Sequence, residues 1–350
     1  MGLSHRQRPP TVETVAAFLD EMVRRLVPGV DAATVRTTFA RAAAGYTVPR
    51  TDDGRRASAI TPSGVPFEAS VTGGGGRLDG ALRYVTETAS GMPFFGPRLA
   101  SQRLALDGLV ERLAPGARGE AAELGCLLDA LFPDPSAVPS RTRFATWFGL
   151  VHRPGDPGDL AGLKVYGNAG LDEGGLDRLA ARWPVLGELA GLVDGLPFLV
   201  PHVATAEAGT GGGVHKLYFR TGRRTDGAAL AAVARRFGAD AGDLLDDLAD
   251  CGAAVAWRSS VHLCCERRAG GDPTLSVHLP AKAMGLDPAG VLTLARTLAG
   301  RHHGTTRGVD ALAGAAQAAG GAWEISVVGV GLAPGGGLGK LNVYLAASAS

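Results

Sequence analysis

The sequence predicts an α+β fold, a barrel of about ten antiparallel strands built from five ααββ-type repeats with the helices as an outer ring. Three observations predict it. Stretches of helical periodicity alternate with pairs of period-two segments along the whole chain. The turns inside the strand pairs are short and rich in Gly or Pro, as antiparallel hairpins require, and no repeat reads as a strand, a crossover helix and a parallel strand. The second strands of the last four repeats recur at near-regular spacing, anchored at Lys164, Lys216, Ser276 and Asn342, the signature of an internal duplication. Closing such a sheet removes its edges, and ten strands enclose more room than the roughly eight whose interior side chains fill the space.

Taken in order, helical patterns cover 11–26, where Leu19, Met22, Val23 and Leu26 fall on one face, and 34–44. Strands are expected at 57–61, 65–72 and 81–88, the last two joined across Gly73-Gly74-Gly75-Gly76, a run that supplies positive backbone dihedrals. Helices at 98–114 and 119–131 precede strands at 143–152 and 162–168, which flank a Pro-Gly-Asp-Pro-Gly turn. A helix at 175–192 precedes strands at 198–207 and 214–221. Helices at 227–237 and 240–250 precede strands at 257–267 and 273–281, and helices at 287–301 and 309–319 precede strands at 323–332 and 340–347. Residues 1–10 are expected to be a flexible start and 11–350 a single domain.

Composition limits the function. Of 350 residues, 45% are hydrophobic and 20% charged, which fits a globular chain, and a formal net charge of +1 offers no overall attraction to nucleic acid or an anionic membrane. Neither a signal-like amino terminus nor a run of about 20 apolar residues is present, so a cytoplasmic protein is expected. Cys126, Cys251, Cys264 and Cys265 form no Cys-x-x-Cys and include an adjacent pair that bridges poorly, which points to reduced thiols.

Chemistry concentrates on the second strands. In a strand, residues two apart share a face, so Lys164 with Tyr166, Lys216 with Tyr218, and Lys340 with Asn342 and Tyr344 each point to one side. Repeated around a barrel, this face lines a lumen able to hold an anion at one level and to shield a reactive cation at another.

The helix pairs, strand pairs and Lys/Tyr pattern together resemble the ABBA aromatic prenyltransferases, and within them the dimethylallyltryptophan synthase branch, which includes bacterial indole prenyltransferases. The resemblance runs over nearly all of the chain after residue 10. That branch carries a glutamate in an early strand within Pro-Phe/Ile-Glu-x-Ser, matched here by Gly64-Val65-Pro66-Phe67-Glu68-Ala69-Ser70, and a phosphate-binding arginine shortly after, matched in Leu82-Arg83-Tyr84-Val85. The resemblance implies transfer of a dimethylallyl group from dimethylallyl diphosphate, as co-substrate, to an indole such as tryptophan, without a metal or other cofactor, in secondary metabolism of the alkaloid type. The partners it implies are these small molecules, with no nucleic acid and no membrane, and a monomer or homodimer is expected.

It also implies roles. Glu68 would accept the indole N–H, against the plain alternative of an outward glutamate on a hairpin. Arg83, Lys164 and Lys216, with Lys340 and His278 as further candidates, would bind diphosphate, against strand lysines that face water and a structural histidine. Tyr166, Tyr218 and Tyr344 would surround the allyl cation, against ordinary core packing, an alternative with most force for Tyr344 near the chain end. Ser276-Val277-His278 departs from the glutamine and tyrosine frequent in the family, and Val214 from an arginine that commonly precedes the third-repeat lysine. His152 has the chemistry of a final base.

Rival readings remain at this point. Asp246-Asp247-Leu248-Ala249-Asp250 matches the Asp-Asp-x-x-Asp of magnesium-dependent isoprenoid enzymes, but those are helical bundles with a second acidic motif. His262, Cys264 and Cys265, with His302 and His303, invite zinc but offer only two ligands on one strand face. A non-catalytic barrel for a hydrophobic ligand or peptide would keep the fold without needing Glu68 and the lysines.

Overall fold

The computed structural model describes residues 10–46, 56–156, 159–171, 174–196, 198–209, 215–222, 225–257, 261–268, 270–334 and 337–348. Nearly all of the expected start at 1–10 lies outside them, as do Val214 and the last two residues of the Pro-Gly-Asp-Pro-Gly turn.

Ten strands close into an antiparallel barrel in chain order. They are β1 (Phe67–Gly74), β3 (Leu82–Thr86), β4 (Thr146–His152), β5 (Gly162–Asn168), β6 (Leu199–Ala208), β7 (His215–Thr221), β8 (His262–Arg267), β9 (Thr274–Pro280), β10 (Trp323–Leu332) and β11 (Leu338–Ala347). The ring shuts where β11 pairs with β1, Ser70 opposite Tyr344 and Thr72 opposite Asn342. A short β2 (Arg77–Leu78) folds back on the end of β1 through Gly75 and Gly76, whose φ values of 58° and 74° suit the tight hairpin that the glycine run allows.

Outside the ring lie α1 (Val12–Leu26), α2 (Ala32–Ala42), α3 (Phe95–Val110), α4 (Ala122–Leu131), α5 (Gly175–Arg182), α6 (Pro184–Leu192), α7 (Gly227–Arg236), α8 (Gly242–Asp250), α9 (Pro288–His302) and α10 (Arg307–Ala319). Caps from Thr11, Asp31, Asp226 and Asp287 start α1, α2, α7 and α9, each side chain accepting a backbone N–H of the first turn.

Two expectations fail locally. The segment 57–61 is no strand: Gly64, at φ 87°, closes a turn in which its N–H reaches Thr61 and its carbonyl takes the Ser58 N–H. Such local hydrogen bonding competes with a ladder. The single helix at 175–192 is two, because Pro184 has no N–H to donate and Trp183 before it sits at φ −129°, ψ 94°.

The core lies between sheet and helices, so the barrel is apolar outside and polar within. Phe67, Tyr84, Phe148, Leu163, Val165, Leu217, Leu263, Val277, Val330 and Val343 are all buried on the helix-facing side. Phe18 and Phe39 of the first helix pair meet Phe67 edge-on at ring separations of 5.9 and 5.6 Å. Each such buried side chain contributes roughly 1.5–3 kcal/mol, which fixes strand register and so which residues enter the lumen.

Candidate functional site

Register sorts the lumen into levels. The inward set includes Glu68, Ser70 and Thr72 on β1; Arg83 and Val85 on β3; Gly149 and Val151 on β4; Lys164 and Tyr166 on β5; Glu207 on β6; Lys216 and Tyr218 on β7; Cys264 and Glu266 on β8; Ser276 and His278 on β9; and Lys340, Asn342 and Tyr344 on β11. All but Glu68 line a cavity of about 350 Å³, in the range of small-molecule sites. At one end it meets a wider mouth of about 770 Å³ with Arg77, Asp79, Arg268 and Lys340 in its wall.

That end is ionic. Lys164 Nζ lies 2.7 Å from Glu207 Oε1 and Lys216 Nζ lies 3.1 Å from the same oxygen and 3.1 Å from Glu266 Oε2. Arg268 follows at 3.6 Å from Glu266, and Arg83 is paired with Asp79, which Arg153 also approaches at 3.5 Å. Burial disfavours the Lys216 charge, but Glu207 and Glu266 more than compensate, and its pKa is raised. Lys340 has no carboxylate within ion-pair distance among the described residues, and the charge of Lys216, then burial, lowers its pKa to about 8. Glu207 and Glu266 are the residues sequence reasoning missed. The inward alternation of Thr205 with Glu207, and of Cys264 with Glu266, was the available signal.

The middle is a belt of rings. Trp147, Tyr166, Tyr218, His278 and Tyr344 follow one another at centroid separations of 6.3, 6.4, 5.6 and 5.9 Å. Lys164 Nζ stands 4.6 Å from the Tyr166 ring centre, so a cation already lies over an aromatic face here. Burial raises the pKa of all three tyrosines. Burial, then the charges of His262 and Lys340, push His278 down to about 3, so it is a neutral ring at pH 7, set between Tyr218 and Tyr344.

Glycines make room for these side chains. A Cβ on Gly149 would stand 3.1 Å from Tyr166 Cε2, one on Gly329 3.0 Å from the His278 ring, and one on Gly331 3.1 Å from Lys340 Cβ. Sequence reading passed over all three.

At the far end Glu68 accepts a hydrogen bond from Ser326 Oγ at 2.6 Å, and desolvation, only partly offset by that bond, raises its pKa to about 7. Phe144 stacks on Trp147 at 3.9 Å, and His202 on His262 at 5.4 Å.

Other candidates fall outside the lumen. His152 shares the helix-facing side of β4 with Phe148 and Leu150; its Nε2 lies 3.2 Å from the Tyr84 hydroxyl, its Nδ1 lies 2.8 Å from the Asp159 carbonyl, and burial lowers its pKa to about 4. It cannot reach a ring in the lumen, because successive strand residues point to opposite faces. Asp247 on α8 is paired with Arg301 and, at 3.1 Å, with His302, while Asp250 lies 3.6 Å from Arg301, all in the helical layer. Cys265 faces the helices, opposite to Cys264, and His303 bonds the Leu341 carbonyl at 3.1 Å, so the zinc candidates are scattered. Among the described residues no group of three or more His, Cys, Asp or Glu is arranged to hold a metal ion, and no helix is long and apolar enough to cross a membrane.

No protein-family model matches the chain, and no curated protein matches it. Solved structures do. The 5-dimethylallyltryptophan synthase from Streptomyces coelicolor superimposes with a TM-score of 0.70 at 17% identity, over 97% of this chain and 98% of its own. The 6-dimethylallyltryptophan synthase from Micromonospora olivasterospora, solved with DMASPP and Trp, gives 0.73 at 19% over 96% and 97%. AnaPT from Neosartorya fischeri gives 0.69 at 14% over 97% and 95%. The chain has the ABBA prenyltransferase barrel fold.

Proposed function

We propose that the protein is a metal-independent aromatic prenyltransferase, residues 11–350 acting as one unit, which joins dimethylallyl diphosphate to an indole acceptor such as tryptophan. One observation carries the reading: a single lumen has cations at one end, neutral rings in its middle and a carboxylate at the other end. The barrels that share the fold include 5- and 6-dimethylallyltryptophan synthases, both solved with DMASPP and Trp, which supports this choice of substrates.

In the proposed reaction the allylic carbon–oxygen bond breaks and its electron pair leaves with the diphosphate, whose charge Arg83, Lys164, Lys216 and Lys340 stabilise. Tyr166, Tyr218, Tyr344 and the His278 ring face the allyl cation and keep water from it. Glu68 takes the indole N–H, which orients the ring and raises its electron density. A ring carbon bonds the cation, and the displaced ring proton leaves to Glu68 or to water.

The test is product mass after incubation with dimethylallyl diphosphate and tryptophan or other indoles, in excess chelator and with magnesium. A gain of one dimethylallyl unit in chelator is expected. Product only with magnesium overturns metal independence, and no product with any indole overturns the acceptor class.

A further inference from the structure

Resting on that reading of the ionic end, the position of Glu207 carries a further step. Its strand lies between the two that bear Lys164 and Lys216, and one of its oxygens, Oε1, receives both ammonium groups. The residue is buried, 7% exposed, and lines the same cavity as Arg83 and Lys340. Burial alone would disfavour its charge, yet the two lysines hold its pKa well below the usual carboxylate value, so the anion is present throughout the working pH range. An anion is therefore built into the cation cluster.

From this geometry we infer that Glu207 is the resident counter-ion of the diphosphate clamp, which competes with the donor, and with product diphosphate, for Lys164 and Lys216. An arriving diphosphate must take over ammonium donors that Glu207 holds, and a departing one returns them. Without Glu207, Glu266 alone would face two buried lysines and Lys340, which repel one another; together with Glu266, Glu207 keeps them charged and in place between turnovers. It also sets itself against whatever anion replaces it, since like charges in a low-dielectric lumen interact strongly. Glu207 is thus a positioning residue: it need not touch the reacting carbon, and its effect falls on donor affinity and on product release.

The prediction separates from simple structural support. Removing a structural carboxylate weakens a site; removing a competitor strengthens it. Inorganic pyrophosphate titrated calorimetrically into the full chain in chelator should bind saturably, and Lys216→Met should abolish or greatly weaken that binding. Glu207→Gln should bind pyrophosphate about tenfold more tightly or better, the scale of a lost charge-assisted contact. In turnover it should lower the KM for dimethylallyl diphosphate and lower kcat as release slows. Should Glu207→Gln fold poorly, Glu207→Gln combined with Lys164→Met, which removes one charge of each sign, should bind pyrophosphate more tightly than Lys164→Met alone. Equal or weaker binding in folded Glu207→Gln, or in the double variant relative to Lys164→Met, overturns the counter-ion role and leaves the clamp intact. Absence of saturable pyrophosphate binding by the unaltered chain overturns the clamp itself, and the counter-ion role with it.

Discussion

Glu68 on β1 reaches across β11 to Ser326 on β10, whose hydroxyl donates to Glu68 Oε1 at 2.6 Å. The bond leaves the other carboxylate oxygen for an acceptor and holds the side chain at the end of the lumen remote from the lysines. Glu68→Gln keeps the shape but loses the charge that, in the proposed reaction, draws electron density into an indole ring. Prenylation of tryptophan should fall by about a hundredfold or more, the usual consequence of losing one preorganised charge-stabilising contact, with melting temperature little changed. Unchanged turnover would take Glu68 out of the mechanism.

The same pair makes a pH prediction. Burial raises the pKa of Glu68 to about 7 and the Ser326 bond opposes that rise. Only the ionised form is a strong acceptor, so kcat should climb as pH passes upward through about 7 and level off above it. Ser326→Ala removes the opposing bond, so its acid limb should move to higher pH. A limb that stays in place, or that persists in the residual activity of Glu68→Gln, assigns the titration to another group.

Lys340 titrates from the other side. Its pKa, lowered to about 8 chiefly by Lys216, means that the ammonium is present below that pH and is lost as pH rises through it. Donor affinity should therefore weaken above about pH 8. In Lys340→Met it should be weaker at neutral pH and flat across the same range. A wild-type KM for dimethylallyl diphosphate that is constant from pH 7 to about 9.5 would remove Lys340 from the clamp.

How much of this was legible follows from register. Lys164, Tyr166, Lys216, Tyr218, Lys340 and Tyr344 could be grouped because a period of two is visible wherever polar residues alternate with apolar ones, as in Lys164-Val165-Tyr166. On β4 the run Thr146–His152 is nearly all apolar, so its parity was hidden and His152 could not be assigned to the outer face until its neighbours were placed. Glu207 and Glu266 had visible parity, but their meaning depends on which strands flank them, and chain order alone does not give that distance.

The glycines were illegible for a different reason: a missing side chain has no periodicity, and its purpose is known only from what occupies the space. Gly149 illustrates it, since a larger residue there would press on Tyr166. Gly149→Val should displace that ring and open a route for water to the allyl cation, raising the ratio of dimethylallyl alcohol to prenylated indole. A lower rate with an unchanged ratio would make Tyr166 a packing residue rather than part of the shield.

Asp247 decides between a lumen reaction and an aspartate-bound magnesium ion. Its side chain is held by Arg301 and His302 on α9, on the outer side of the sheet, so its charge is engaged in joining α8 to α9. Asp247→Asn should weaken that contact, costing about 1 kcal/mol because Arg301 is 44% exposed and its pairing is screened by solvent. Asp246→Asn, for which no ion pair is found among the described residues, should cost less. In both variants the rate per folded molecule should stay within about twofold of the starting protein, since neither carboxylate reaches the lumen, where the proposed reaction develops its charge. Product formation measured on folded protein, with unfolding followed separately, distinguishes the two effects. A collapse of turnover without unfolding would return the chemistry to the helical layer and refute the barrel mechanism.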